Sequence, residues 1–168
     1  MPELIQFLEK PIGFLSKYLG RVSQFALMAI MFFTTADVFG RYVLNRPIKG
    51  SYEIGQFMLV VVIMLGLAYT QAQGRHISVK VLVDRFPSKL QAALDSILFF
   101  VGLLIVGLIV YASFGYAMTG WKERTISEIL YFPVYPFRFL VPVGAFVWAL
   151  ELFLKWLRSI ALLRGRRL

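Results

Sequence analysis

The side chains best able to do chemistry lie where one apolar stretch ends and the next begins. Asp37 and Arg41 are four residues apart near the end of the first stretch, and Glu53 opens the second. Residues four apart share a helical face, so Asp37 and Arg41 are predicted to pair, with Glu53 in reach across a short loop. Arg41 suits a helix C-terminus and Glu53 a helix N-terminus without further function. Asp37 is the charge that position alone leaves unexplained.

Two roles are open to Asp37. An unpaired carboxylate in lipid costs about 3 kcal/mol, so Asp37 is expected to face protein. As a proton or ion relay it would be poorly placed, beside an arginine near one membrane surface, and we favour a structural or interface role. For a simple buried pair, replacing either Asp37 or Arg41 alone should harm assembly more than replacing both.

The remaining candidate ligand is His76, the only histidine. Beside Arg75 in a polar segment, it is interpreted as a hydrogen-bonded loop residue, and the same segment holds Asp84 and Arg85. Two axial haem histidines within the chain are excluded, and the absence of cysteine excludes thiolate chemistry and iron–sulfur clusters. Phosphate-binding loops, zinc-protease motifs and nucleophile elbows are also absent. The sequence predicts no enzyme, no cofactor and no metal site.

Composition indicates a membrane protein. The 168 residues are 59% hydrophobic and 16% charged, and four long charge-poor stretches alternate with short polar clusters. A net charge of +9 in a soluble protein would suggest nucleic acid. Here the basic residues cluster between the apolar stretches, so membrane topology and anionic lipid headgroups explain them, and no nucleic-acid partner is predicted.

The predicted fold is an all-α integral membrane protein forming a single domain. Ser51 is the expected N-cap of the second span, and Glu151 and Lys155 are expected to pair in the fourth. In the third span, close helix contact is expected at the small residues Gly102, Gly107, Ala112 and Gly115. The predicted segments are an amphipathic interfacial helix at 2–19, kinked or broken at Pro11; spans at 21–43, 51–73, 88–120 and 136–157; a cytoplasmic interfacial segment at 74–87; an outer loop at 121–135; and a basic tail at 158–168.

The distribution of basic residues predicts the orientation. Twelve of the 18 Lys and Arg residues fall on the side of the two chain ends and of the segment 74–87, and six fall on the other. By the positive-inside rule both ends are cytoplasmic, and the segments 44–50 and 121–135 face outward.

The outward segments are the expected contact surface. Aromatic and apolar residues from Ile129 to Tyr135 either bind a partner or dip into the membrane. A docking platform for an acidic partner is predicted there, because basic patches steer acidic proteins. Its members are Arg46, Lys49, Lys122, Arg124, Tyr131 and Tyr135.

The spans themselves contain few polar groups. This favours a structural role, in which the helices offer surfaces to lipid and protein, over a polar pathway for substrate. The sequence therefore predicts an accessory subunit. A stand-alone small transporter using Asp37 as its coupling carboxylate and the membrane anchor of a redox enzyme are the alternatives.

Two stretches resemble a known family. "GRYVLNRPIKGSYEIGQF" (40–57) and "GRHISVKVLVDRFP" (74–87) are similar to the signature blocks of the small membrane subunit, the Q component, of tripartite ATP-independent periplasmic (TRAP) transporters. The matching positions in this sequence are Arg41, Tyr42, Asn45, Pro47 and Glu53 in the first block, and His76, Ile77, Val79, Phe86 and Pro87 in the second. Gly50, Ser51 and Tyr52 replace the tryptophan often found ahead of the acidic residue.

The resemblance implies a function and partners. Such a subunit works in the bacterial inner membrane as part of a sodium-driven importer of organic acids. It would scaffold the large M subunit, which carries the substrate and sodium sites, and would help receive the periplasmic substrate-binding protein. On this basis one polar cluster is predicted at a subunit interface, formed by Asp37, Arg41, Tyr42, Asn45, Glu53 and Gln56.

Overall fold

Four long helices make up the computed structural model, which describes residues 2–73 and 88–163. They are α1 (Pro2–Tyr42), α2 (Ser51–Ala72), α3 (Ser88–Lys122) and α4 (Tyr135–Leu163). Each contains a stretch long and apolar enough to cross a membrane. The predicted all-α class with four apolar helices is confirmed, while the orientation and the cytoplasmic segment 74–87 stay predictions.

The first helix is unbroken at Pro11, where a kink or a break was predicted. α1 runs for 41 residues through Pro11, so the segments 2–19 and 21–43 belong to one helix. A proline removes one backbone donor, a cost that a long helix absorbs when its neighbouring turns are intact. At 1.5 Å per residue α1 is about 60 Å long, twice the hydrocarbon thickness of a bilayer. It must therefore tilt strongly or extend beyond the membrane, and the surface position of 2–19 stays a prediction.

Three helices form a mutually packed group. α1, α2 and α4 contact one another, and α3 packs against α4. The face of α1 turned into this group carries small or polar residues, including Ser16, Gly20, Ser23 and Gly40. Most of its large apolar side chains point outward; Phe25 and others like it are largely exposed. α1 is thus held by close approach, as expected of helix contacts in lipid.

The contact between α1 and α2 depends on glycine and serine, whose small size lets the two helices approach closely. A Cβ placed on Gly20 would overlap the Tyr69 ring. One turn further along α1, the Ser23 hydroxyl donates to the carbonyl of Val62 at 2.7 Å, beside Gly66. These two contacts bring the helix backbones together over about two turns of α2, from Val62 to Tyr69.

The contact between α3 and α4 is built from larger residues. Val106, Ala145 and Leu152 are its buried centre, with Trp148 packed against them. The expected glycine contacts in α3 are mostly wrong, because Gly107 and Gly115 have no neighbouring atom within 4 Å of a Cβ position. These two glycines are exposed, whereas a Cβ on Gly102 would lie in ordinary contact with Leu152, 3.8 Å away, and Gly120 is buried. Most of the contact with α4 is made by larger aliphatic and aromatic side chains of α3.

α4 crosses α2 closely at Gly144. A Cβ at this position would lie 2.5 Å from the backbone oxygen of Met64 in α2, and backbone atoms cannot move aside as a flexible side chain can. Gly144→Ala is expected to lower the free energy of unfolding by about 1–3 kcal/mol through overpacking. The measurement is thermal unfolding of the purified chain in detergent.

Gly107→Ala is the matched control, since it is also a helical glycine but with open space around it. It should be neutral or stabilising by up to about 1 kcal/mol, as helix propensity predicts. Equal stability of the two variants would contradict the crossing at Gly144.

Candidate functional site at the loop end

The loop end is the end of the bundle formed by residues 43–50 and 123–134. The first segment is a tight turn, in which the amide of Arg46 donates to the carbonyl of Gly40 at 2.9 Å. Asn45 adopts a left-handed backbone conformation with φ 49°, which asparagine tolerates better than most residues. Gly50, with φ 72°, then precedes α2 as its N-cap, in place of the predicted Ser51.

Asp37 is buried at the start of this turn and has several partners. Its Oδ2 accepts from Arg41 at 2.9 Å, which is the predicted ion pair. Its Oδ1 accepts from the backbone amide of Ile48 at 3.1 Å, and the Ser51 hydroxyl is a further partner. The Asp37 side chain is 9% exposed and the Arg41 side chain 53%. Asp37 therefore ties the turn 43–50 back onto α1, and the arginine covers it from outside.

The second segment folds into a small hairpin. The amide of Ser127 donates to the carbonyl of Phe132 at 2.8 Å, and the amide of Val134 donates to the carbonyl of Thr125 at 3.0 Å. The Ser127 hydroxyl accepts from the amide of Phe132 at 3.3 Å. Tyr131 reverses the chain with φ 52°. The hairpin is thus held by its own backbone and by one serine.

Glu53 anchors the tip of this hairpin. Its two carboxylate oxygens accept from the amides of Ile129 at 2.9 Å and Leu130 at 3.0 Å, although more than 70 residues separate the partners. Glu53 therefore does not pair with Arg41. A carboxylate in the first turn of α2 suits the helix dipole, and here it also satisfies two donors of another element.

Gly50 provides a further contact between the turn 43–50 and the hairpin 123–134. It is buried, and a Cβ there would lie 2.5 Å from Cγ of Leu130. Together with Glu53, this contact makes the turn 43–50 and the hairpin 123–134 one packed unit. The long-range partners of Glu53 carry no signal in the sequence, because a backbone amide belongs to every residue type.

The hairpin tip is apolar and faces outward. Ile129, Tyr131 and Phe132 are 56%, 73% and 50% exposed. Beside the tip lies an apolar recess of about 380 Å³, into which Phe57 and Phe137 project as a stacked pair with ring centroids 4.5 Å apart. The tip is therefore an exposed apolar surface for lipid or protein.

The six residues of the predicted polar cluster lie in four different places. Gln56 lines a cleft of about 450 Å³ between α1 and α2 together with Asp37 and Arg41. Glu53 belongs to the hairpin instead. Asn45 supplies the turn, and Tyr42 is 79% exposed with no place in the cleft.

The predicted docking residues all lie at the loop end. Arg46, Lys49, Lys122, Arg124 and Tyr131 are exposed there, while Tyr135 is half-buried with its ring centroid 5.0 Å from that of Trp121. Arg75, His76, Asp84 and Arg85 lie outside the described residues. Within residues 2–73 and 88–163, no group of three His, Asp or Glu side chains is placed to hold a metal ion.

The opposite end of the bundle holds a second polar site that sequence reasoning missed. Glu151 and Lys155, predicted to pair, form no close ion pair, although the charge of Glu151 still acts on Lys155. The Ser16 hydroxyl donates to Oε1 of Glu151 at 2.5 Å, and the Lys155 ammonium donates to the carbonyl of Gln71 near the C-terminus of α2. Both contacts join helices distant in sequence, so periodicity within one helix could not indicate them.

Four apolar helices, with buried hydrogen-bonded polar groups near both ends of the bundle, define a multi-pass α-helical membrane protein. The profile of the family described as "Tripartite ATP-independent periplasmic transporters, DctQ component" matches residues 30–162, so the chain belongs to that family. It is a small permease subunit of a TRAP transporter in the bacterial inner membrane, and the predicted resemblance is confirmed.

One curated relative shows how far the similarity extends. The chain is 24% identical over 118 residues to the ectoine TRAP transporter small permease protein TeaB of Halomonas elongata. The match includes 70% of this chain and 61% of TeaB, so it spans less than two thirds of that protein. TRAP Q subunits in general work with M and P components.

Proposed function

We propose that this chain is the scaffold subunit of a sodium-driven importer of organic acids, moving no substrate itself. It would hold the large M subunit in the bilayer and present the loop end to the periplasmic binding protein. The single observation that carries this proposal is the distribution of polar contacts. Among the described residues, the buried carboxylates Asp37, Glu53 and Glu151 lie at the two ends of the bundle, each with a hydrogen-bonding partner.

The middle of the bundle supports the same proposal. Between Ser23 and Asp37, the face of α1 turned toward the other helices carries Ala26, Ile30 and Phe33. A substrate anion or a sodium ion would need polar partners at this depth. The apolar outer faces of α1 and α3 are available instead for lipid and for M.

The loop end supports the docking role. This end of the bundle carries four exposed cations, Arg46, Lys49, Lys122 and Arg124, together with the exposed apolar hairpin tip. Such a surface would steer an acidic binding protein and offer it an apolar contact at the centre.

Transport in vesicles tests the scaffold role. Vesicles holding this chain alone are expected to show no sodium-dependent uptake of an organic acid, whereas vesicles holding it with M and the binding protein should show uptake. This chain should also co-purify with M. Solute flux through the chain alone would contradict the proposal.

A charge-reversed loop end tests docking in the same assay. Arg46→Glu combined with Lys122→Glu should slow uptake by the full complex and weaken its dependence on salt, because electrostatic steering is screened by ions. Arg21→Glu, which changes an exposed charge near the middle of α1 and away from the loop end, is the control. Unaltered uptake with the loop-end variant would argue against docking there.

A further inference from the structure

The end of the bundle opposite the loop end contains a basic pocket of about 640 Å³ between α1, α2 and α4. Its described lining includes four cationic residues, Lys10, Lys17, Lys155 and Arg158, and one carboxylate, Glu151. Neither the scaffold role nor the docking role uses the four cationic residues. We propose that this pocket binds the phosphate headgroup of an anionic glycerophospholipid.

The depth of the pocket favours a lipid. α2 has 22 residues and is therefore about 33 Å long, close to the hydrocarbon thickness of a bilayer. Ala72, at its last turn, lines the pocket, whereas Glu53 in its first turn lies at the loop end. The pocket thus lies at the level of lipid headgroups. Its wall also includes Tyr69 and Leu154, which suit the glycerol and the upper acyl chain.

The single carboxylate does not cancel the positive charge. Glu151 is buried and accepts from Ser16, so it is held within the contact between α1 and α4. Lys155 donates one hydrogen bond to the carbonyl of Gln71, which fixes its ammonium at the pocket wall. An ammonium has three N–H donors, and the other two remain for a phosphate oxygen.

The opposite wall is shaped for the same ligand. Lys10, Gly13 and Lys17 share one face of α1, because they are three and four residues apart. Gly13 has no atom within 4 Å of its Cβ position, so the space between the two lysines is open. Two exposed cations on α1 therefore face two cations on α4 across one cavity. Basic pockets between membrane helices are a recognised site for anionic headgroups.

Lipid binding to the full-length purified chain tests this proposal. Native mass spectrometry would follow binding of phosphatidylglycerol, with phosphatidylcholine and inorganic phosphate as separate probes. One phosphatidylglycerol should bind per chain, at least tenfold more tightly than phosphatidylcholine, and inorganic phosphate should not displace it. Equal binding of the two lipids, or displacement by phosphate, would overturn the proposal.

Single-charge variants locate the site. Lys17→Gln should weaken binding of phosphatidylglycerol about fivefold, and Lys10→Gln combined with Lys17→Gln about 25-fold, by the usual contribution of one basic residue near anionic lipid. Arg21→Gln is the matched control, since it removes one exposed charge from the same helix but does not line the pocket. Equal effects of Lys17→Gln and Arg21→Gln would overturn the assignment. If the double variant does not fold, the Lys17→Gln comparison decides.

Discussion

Replacing Glu53 with alanine is expected to lower the free energy of unfolding by about 3 kcal/mol and to release the hairpin 123–134. The carboxylate accepts from the amides of Ile129 and Leu130, and hydrogen bonds to a charged group are worth about 1.5–3 kcal/mol each. Alanine leaves both donors without an acceptor. Thermal unfolding in detergent and the rate of proteolysis within the hairpin would measure the two effects.

Glu53→Gln sharpens this prediction. Its amide oxygen can accept from one backbone donor, but its NH₂ group faces the other, so an intermediate loss is expected. Glu123→Ala is the control, because Glu123 is an exposed carboxylate beside the same hairpin. Cleavage of the hairpin at the same rate in Glu53→Ala and Glu123→Ala would show that Glu53 does not anchor it.

The second large effect is expected at Asp37. Asp37→Ala should cost about 2–4 kcal/mol, because it leaves the amide of Ile48 unpaired within the turn and removes the counter-charge of Arg41. Arg41→Gln should cost about 1 kcal/mol or less, since its side chain is half exposed and ion pairs of that kind contribute little. Asp37→Asn should fall between them, because its amide oxygen can still accept from Ile48.

The structure also changes the result expected for the double variant. A simple ion pair predicts that removing both partners restores stability. Because Asp37 also holds the turn, Asp37→Ala combined with Arg41→Gln should remain nearly as unstable as Asp37→Ala alone. Yield of the complex with M and the unfolding midpoint would both report this. Recovery of stability in the double variant would show that pairing alone explains Asp37.

The two carboxylates at the loop end therefore have different structural roles. Asp37 closes the connection between α1 and α2, and Glu53 attaches the connection between α3 and α4 to it. The positions of the exposed tip and of the cations at this end depend on the hydrogen bonds of both carboxylates. If the loop end receives a binding protein, as proposed, loss of either carboxylate should impair uptake even though neither residue touches substrate.

Sequence reasoning was most reliable for the apolar helices. Four charge-poor stretches predicted four membrane helices, since length and hydropathy are properties of each segment alone. The pair of Asp37 and Arg41 was also predictable, because residues four apart on one helix meet whatever the rest of the fold does. The family blocks around Arg41 and His76 were sufficient to indicate the class of protein.

Contacts between helices were decided by the tertiary structure. Glu53 was expected beside Arg41 and instead holds the amides of Ile129 and Leu130. Lys155 was expected to pair with Glu151 and instead reaches the end of α2. In each case the partner is a backbone group on another helix or loop. Such a partner cannot be predicted from residue types, because every residue has a backbone carbonyl and nearly every residue a backbone amide. Local spacing sets what one helix can do, but only the packing of helices decides which distant donor or acceptor a buried charge meets.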